Sequence, residues 1–315
     1  MKVIVQIPCL NEAQTLPLVL KAIPKKIKGV DSIEVLVIDD GCTDDTVAVA
    51  KKLGVKHFVH HPCKQGLARS FHDGVHAALA LGADIIVNTD GDNQYPGKYI
   101  GDLVQPIIEG KADMVIADRQ TKKIEHFSPL KKLLQKFGTK VLNIAAGTKI
   151  PDAPSGFRAY SRESIYRLNV VTRFSYAMET LIQAGNKGLH ITSVPITTNP
   201  KTRDSRLFKS NWEHVTKSGA AIIRAFLMYR PYVFFMTLGF LLLLIGIIPF
   251  GRFWYLVAVS NDYGARHIQS LIAGSVVLMA SFMMFVLGVI ADLIRINRIL
   301  IEQNLEHAKR TTKRD

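Results

Sequence analysis

The chain opens on a short apolar run, "KVIVQIP", and then turns polar, and this alternation recurs. "IEVLVIDD", "HFVHH", "DIIVNTD" and "DMVIADR" are further strand-length runs rich in Val and Ile. Stretches with helical apolar spacing separate them. One begins near Glu12 and another near Thr43; a third runs from "CKQGLARS" to near "LALGA", and a fourth covers residues 99 to 109. Such strand–helix alternation predicts an α/β domain with a mostly parallel sheet flanked by helices. Sheets of this kind bind ligands beyond the carboxyl ends of their strands. The segments to examine are therefore Pro8 to Glu12, Asp39 to Gly41, Asp90 to Gln94, and Asp118 with Arg119.

Beyond residue 120 the pattern changes. "SPLKKLLQKFGTKVLNIAAG" places Leu130, Leu133, Leu134, Phe137, Val141 and Ile144 at helical spacing, with Lys131, Lys132, Lys136 and Lys140 between them. A basic amphipathic helix fits a membrane surface, and equally a core contact with a solvated basic face. Residues 208–230 form a second such stretch, expected as an interfacial helix leading into an uncharged run from Tyr232 to Phe250. A second uncharged run extends from Ile268 to Ala291. Each matches the roughly 20 apolar residues that a membrane-crossing helix needs. Aromatic residues near the ends, Tyr229, Tyr232, Phe253, Trp254 and Tyr255, suit membrane interfaces. The expected organisation is a domain at 1–207, an interfacial helix at 208–230, and a transmembrane hairpin with a basic tail at 231–315.

Flanking charge orients the hairpin. Arg224 and Arg230 precede it, and Arg295, Arg298, Lys309, Arg310, Lys313 and Arg314 follow it; only Arg252 and Arg266 lie between the spans. The positive-inside rule then places both termini and the first domain in the cytoplasm of a multi-pass membrane protein. "MKVIVQIP" reads as a first strand, not as a signal peptide.

The formal charge of +14 suits a phosphate-bearing or membrane partner. The two spans and their flanks account for much of it without nucleic acid. Cys9, Cys42 and Cys63 form no CxxC pair and read as free thiols.

The first sign of chemistry is "NTDGDNQYPGKY". In an extended segment Asp90 and Asp92 point the same way, and two carboxylates that close repel unless a cation sits between them. Hard oxygen ligands select Mg²⁺ or Mn²⁺, with Gln94 available as a third ligand. A calcium loop does not fit, because the twelfth position from Asp90 is Gly101 rather than Glu. "VIDDGCTDDT" ends another strand with Asp39 and Asp40, either of which could accept a hydrogen bond from a base or a ribose. No GxxxxGK[ST] or GxGxxG loop is present, which counts against P-loop hydrolysis and hydride transfer. His57, His60 and His61 read as surface residues. Asp152 reads as an organiser of the loop "APSGFR".

Six motifs in order, "IPCLNEAQTL", "VIDDGCTDDT", "KQGLARSFHDGV", "NTDGDNQYP", "DMVIADR" and "PSGFRAYSRE", make the chain resemble the family 2 glycosyltransferases of GT-A fold. The likeness is to polyprenyl-phosphate hexose synthases of the dolichyl-phosphate mannose synthase type, some of which carry such a hairpin. The resemblance implies transfer of a hexose or N-acetylhexosamine from a UDP- or GDP-linked nucleotide sugar to a dolichyl or undecaprenyl phosphate, with inversion and a divalent metal. It implies Pro8, Asn11, Glu12, Asp39, Asp40, Lys64, Gly66, Asp90 and Gly91 at the nucleotide, and Asp90, Asp92 and Gln94 at the metal. Arg119, Ser155, Arg158, Arg203, Ser205 and Arg206 fall at the acceptor, and Asp92, Arg119, Arg158, Arg203 and Arg206 carry catalysis. The membrane is a partner, nucleic acid is not, and a homo-oligomer is left open.

The chain departs from the family pattern in places. Cys9 and Cys42 stand where small residues are usual, Gly91 where Ala is usual, and Lys64 where Asn is frequent. Gly156 stands where some relatives carry a carboxylate proposed as a base. A lipid phosphate needs no base, since it is ionised near neutral pH. A processive polysaccharide synthase is the rival reading, opposed by the two spans and by the lack of a QxxRW motif. A non-catalytic adaptor that keeps the fold is the other.

Overall fold

The computed structural model describes residues 1–120, 129–170, 176–200, 227–260 and 268–311, with residues 220 and 223 besides. The chain forms two compact units, Met1–Ile222 with Glu306–Asp315, and Ile223–Leu305. The expected surface helix at 208–230 lies almost wholly outside the described residues, as do Arg203, Ser205 and Arg206.

In the first unit, β1 (Lys2–Cys9), β2 (Ser32–Asp39), β3 (His57–His60) and β4 (Ile85–Asn88) are the expected strands. β5 (Met114–Asp118), in "DMVIADR", is the fifth expected strand, and with β6 (Arg158–Ser161) and β7 (Ile191–Pro195) it completes a seven-stranded sheet ordered β3-β2-β1-β4-β6-β5-β7. All neighbouring pairs are parallel except β6, which runs antiparallel to both β4 and β5. β1 is central, and Val3, Ile4, Val5 and Ile7 are fully buried. With both faces covered, the strand reads as a continuous apolar run rather than an alternating one. Each such side chain contributes roughly 1.5–3 kcal/mol through burial.

The helices are α1 (Leu16–Ala22), α2 (Thr46–Lys52), α3 (Leu67–Ala80), α4 (Ile100–Ile108), α5 (Pro129–Ala146), α6 (Arg162–Arg167) and α7 (Tyr176–Asn186). α1 starts at Leu16 rather than near Glu12. Pro17 sits in its first turn, and Glu12 to Thr15 form a tight turn whose Thr15 amide donates to Glu12 O at 3.1 Å. α2 likewise starts at Thr46, three residues after Thr43, because Thr43 and Asp44 are engaged in loop hydrogen bonds.

The second unit is a helical hairpin, α8 (Pro231–Ser260) and the described part of α9 (Ile268–Thr311) up to Leu305. Both helices are long and apolar enough to cross a membrane, and they fit a membrane anchor. Small residues at heptad spacing let the backbones approach: Gly239 and Gly246 on α8, and Gly274, Ser281 and Gly288 on α9. A Cβ on Gly246 would stand 2.8 Å from Leu278, and one on Gly274 2.7 Å from Phe250. Buried Ser281 donates across the pair to Gly239 O at 2.8 Å. Phe240, Ile248, Val276 and Phe282 on the outward faces are exposed, which fits a membrane anchor.

Candidate active site

Strand order reverses across β1. The chain builds outward through β2 and β3 and then returns to β4 on the other side. The crevice beyond the carboxyl ends of β1 and β4 is therefore the ligand site expected of such a sheet. Asp90 follows β4, Glu12 follows β1, and Asp39 and Asp40 end β2. Thr15 Oγ1 ties two of these ends together, lying 2.9 Å from Glu12 Oε2 and 2.7 Å from Gly91 O.

Asp90 and Asp92 are half-buried at the rim of the crevice. The Gln94 amide donates to Asp92 Oδ1 at 3.1 Å, and its side-chain NH₂ donates to Oδ2 at 3.0 Å. Gln94 thus braces Asp92 instead of pointing an oxygen beside it as a third ligand. Among the described residues no group of three or more His, Cys, Asp or Glu gathers at one point. Mg²⁺ that accompanies a diphosphate needs no such cage; one or two carboxylates suffice, with phosphate oxygens and water completing the shell. Two hard, partly exposed carboxylates fit that donor set.

The β1 and β2 ends interlock. Asn11, at φ 58°, accepts from the Thr43 amide at 2.7 Å, and the Glu12 amide donates to Thr46 Oγ1 at 2.8 Å. Asp44, just before α2, accepts from the Thr46 amide at 3.0 Å. Pro8 lies buried in β1. Asp39 accepts from the Cys42 amide at 2.7 Å and meets His60 Nδ1 at 3.0 Å. Burial works to raise Asp39, but these contacts outweigh it and hold the carboxyl below its ordinary range. Asp40 is more enclosed and meets His61 at 2.9 Å, the Gln65 amide at 2.8 Å and the Gly66 amide at 2.9 Å. Lys64 is exposed in the same loop. At Gly41, φ is +78° and a Cβ would sit 2.7 Å from the Lys64 nitrogen, so only glycine lets this loop close. His61, expected at the surface, is buried because it is hydrogen-bonded between Asp40 and Asp73. The three cysteines are free, and burial first, then the Asp39 carboxylate, pushes the Cys42 thiol up to about 11.

The third wall is the loop from Asp152 to Phe157, whose importance to the site the sequence had flagged through Asp152. That carboxylate grips Arg119 with Nε at 2.7 Å and Nη2 at 2.9 Å, and it also accepts the Arg119 amide at 3.1 Å. Burial opposes charge on Arg119, yet Tyr95, Asp152 and Asp90 around it raise its affinity for the proton overall. Arg119 is therefore a fixed cation on the Asp90 side of the crevice.

Arg158 is a correction. The resemblance put it at the acceptor, but it is fully buried on β6. Its guanidinium donates to Ser155 O at 2.7 Å, Ala153 O at 2.6 Å, Ala177 O at 2.7 Å and Thr180 Oγ1 at 3.0 Å. Those donors knit the loop to α7 and leave the guanidinium no route to a ligand. Ser155 is also fully buried, and its Oγ has no partner among the described residues. The loop's contribution to the crevice is its backbone and Gly156.

Sequence reasoning missed two tyrosines that surround Gly156. Tyr95 accepts from the Gly156 amide at 3.3 Å, and Tyr176 donates to Gly156 O at 3.0 Å while accepting from Asn88 at 2.7 Å. Burial raises both phenols, most strongly Tyr176, and the nearby Asp90 carboxylate adds to it, so both stay protonated. A Cβ on Gly156 would stand 2.9 Å from the Tyr176 hydroxyl and 3.6 Å from Asp90. The position faces the metal-binding candidates, and Tyr176 already occupies the room a side chain would need. Tyr95 was in view as part of "NTDGDNQYPGKY"; Tyr176 carries no local motif.

Gly91 has a packing reason of its own. A Cβ there would lie 3.1 Å from Glu12 Cγ and 3.3 Å from Cys9 Sγ. Cys9 is larger than the usual residue and Gly91 smaller, so the two departures offset each other. Gly91→Ala should cost about 1–3 kcal/mol of stability through overpacking. Adding Cys9→Ala removes the Sγ contact but not that of Glu12, so it should recover part of that loss, which a double-mutant cycle of thermal unfolding in detergent would read.

A glycosyl transferase family 2 model matches residues 4–168, so the chain belongs to that family and is a glycosyltransferase. Over 197 residues it is 29% identical to a dolichyl-phosphate hexose transferase of Haloferax volcanii, covering 62% of this chain and 82% of that protein. Over 291 residues it is 27% identical to the low-salt glycan biosynthesis hexosyltransferase of the same organism, covering 90% of this chain and 67% of that one. A solved structure of glucosyl-3-phosphoglycerate synthase from Mycobacterium tuberculosis, in complex with Mg²⁺ and uridine diphosphate, superposes with TM-score 0.54 at 22% identity. It covers 72% of this chain and 78% of that one, and the likeness establishes the shared GT-A architecture.

Proposed function

We propose that this glycosyltransferase moves a hexose or N-acetylhexosamine from a UDP- or GDP-linked sugar to a polyprenyl phosphate at the cytosolic membrane face. The carrying observation is Gly156: among the described residues this position puts no side chain opposite Asp90 to take a proton from the acceptor, and Tyr176 fills the room for one. An acceptor that arrives already ionised needs no base, and a phosphate monoester is such an acceptor. The two apolar helices and relatives named for dolichyl phosphate support a lipid carrier for that phosphate. The charge flanking the hairpin supports a cytosolic catalytic unit.

In this reading the Asn11–Glu12 and Asp39–Asp40 ends hold the nucleoside. Asp90 and Asp92 would hold Mg²⁺ or Mn²⁺, which when bound offsets charge on the leaving diphosphate. The acceptor phosphate oxygen attacks C1 from the face opposite the diphosphate; the C1–oxygen bond breaks, and the nucleoside diphosphate departs with the electron pair. Catalysis is then positioning and electrostatic stabilisation, with Arg119 the fixed cation beside Asp90.

The test is a transfer assay on the full chain in membranes, with labelled UDP- and GDP-sugars and a polyprenyl phosphate. One sugar per lipid should appear, and chelation should abolish the product. Long polymer with no singly glycosylated lipid would support a processive synthase instead.

A further inference from the structure

His61 is buried, 8% exposed, between two acids from different elements. Its Nδ1 lies 2.9 Å from Asp40 Oδ1 at the end of β2, and its Nε2 lies 3.2 Å from Asp73 Oδ2 on α3. A carboxylate only accepts hydrogen bonds, and a neutral imidazole has one N–H and one bare nitrogen. Either neutral tautomer would set a lone pair against a carboxylate oxygen; only the imidazolium donates to both.

The surrounding charges agree with this assignment. Asp73 is also held by Arg69 Nε at 2.7 Å and by His72 Nδ1 at 2.8 Å. Burial works to raise Asp73, but these partners outweigh it and keep its carboxyl below the ordinary range. The neighbouring His60 faces Asp39 and not this pair. Asp73 thus has Arg69 and His72 beside it as well as His61, whereas Asp40 meets His61 as its one basic side chain among the described residues.

Asp40 is the joint of the loop between β3 and α3. The same carboxylate that meets His61 accepts the Gln65 and Gly66 amides and closes the loop carrying Cys63 and Lys64 over Gly41. We propose that His61 is a positioning residue for nucleotide binding: as an imidazolium it locks Asp40 to α3, and through Asp40 it holds the 62–66 loop against the β2 end. This rests on the reading that the Asp39–Asp40 end receives the nucleoside.

The test is binding of UDP and of GDP, each with Mn²⁺, to the full chain in detergent, by calorimetry across about pH 6 to 9, a range that spans ordinary imidazole titration. Wild type is compared with His61→Gln and His61→Arg. An imidazolium donates to both carboxylates and a neutral ring to only one, so the lock should be stronger at the acid end of this range than at the alkaline end. His61→Gln should bind the preferred nucleotide about tenfold more weakly at the acid end, the scale of one charge-assisted hydrogen bond. That ratio should shrink toward one at the alkaline end, and His61→Arg should restore affinity with a flatter pH profile. In the transfer assay the loss should appear in KM for the nucleotide sugar and not in kcat. A pH-independent ratio, or His61→Gln binding like wild type throughout, would overturn the proposal. Wild type that binds neither nucleotide at any pH would instead overturn the nucleotide-site reading. Should His61→Gln fail to fold, Asp73→Asn removes the far carboxylate and should bind more weakly at the acid end; unchanged affinity there would also overturn it.

Discussion

Asp92→Asn should lower kcat/KM about 10²–10³-fold, the range typical of losing one electrostatic contact to a developing charge. The substitution keeps the shape of the side chain and removes its charge. It also replaces one oxygen by an NH₂ that must face a Gln94 donor, since both Asp92 oxygens now accept from Gln94. Asp90 would remain as the lone carboxylate for the cation, so half-maximal activity should need more Mg²⁺ or Mn²⁺. Because Asp92 is only half-buried at the rim, stability should change by less than about 1 kcal/mol. Gln94→Ala frees the same carboxylate without discharging it, and should cost about 10-fold to 100-fold, as loss of an outer-shell brace does. Transfer assays titrated with metal, alongside thermal unfolding, would read all three quantities. Full activity in Asp92→Asn would remove the carboxylate pair from the reaction.

Why Asp92 was legible in the sequence, and Tyr176 was not, follows from how far apart the partners lie along the chain. Asp90 and Asp92 sit at a strand end in one short segment, so period and position identify them together. Asp39 and Asp40 were found the same way. The α/β class followed from continuous apolar runs such as that of β1, which a sheet covered on both faces imposes. The site's other half is built by long-range contacts. Tyr176 reaches Gly156 from a helix 20 residues away, and Asn88 reaches Tyr176 across 88. Arg158 misled for a related reason. A cation in a motif reads as a ligand for anions, but β6 runs antiparallel between β4 and β5 and buries this one among carbonyls. β6 itself has only four residues and β7 five, and neither stands out as an apolar run. His61 was read as surface because its carboxylate partners are 21 residues before it and 12 after it.

Arg119 and Asp152 should prove separable into a structural part and a catalytic part. The Asp152 side chain is 1% exposed and that of Arg119 21%, and the pair is joined by two side-chain bonds plus the Arg119 amide. Asp152→Ala would strand a partly buried guanidinium, and Arg119→Met would strand a buried carboxylate. Each single change should cost about 3–5 kcal/mol, the usual loss when one member of a buried pair is removed. The double variant Arg119→Met/Asp152→Asn leaves no unpaired charge, so it should recover much of that stability, because desolvation offsets most of a buried pair's attraction. Activity should not recover with it. Arg119 interacts with the Asp90 carboxylate as well as with Asp152, which makes it the described cation on that side of the crevice. A stable double variant with kcat/KM still down about 10²-fold would assign Arg119 to stabilising phosphate charge during transfer. A double variant that is both stable and fully active would reduce the pair to a clamp on the loop from Asp152 to Phe157, and the fixed positive charge would have to come from elsewhere in the chain.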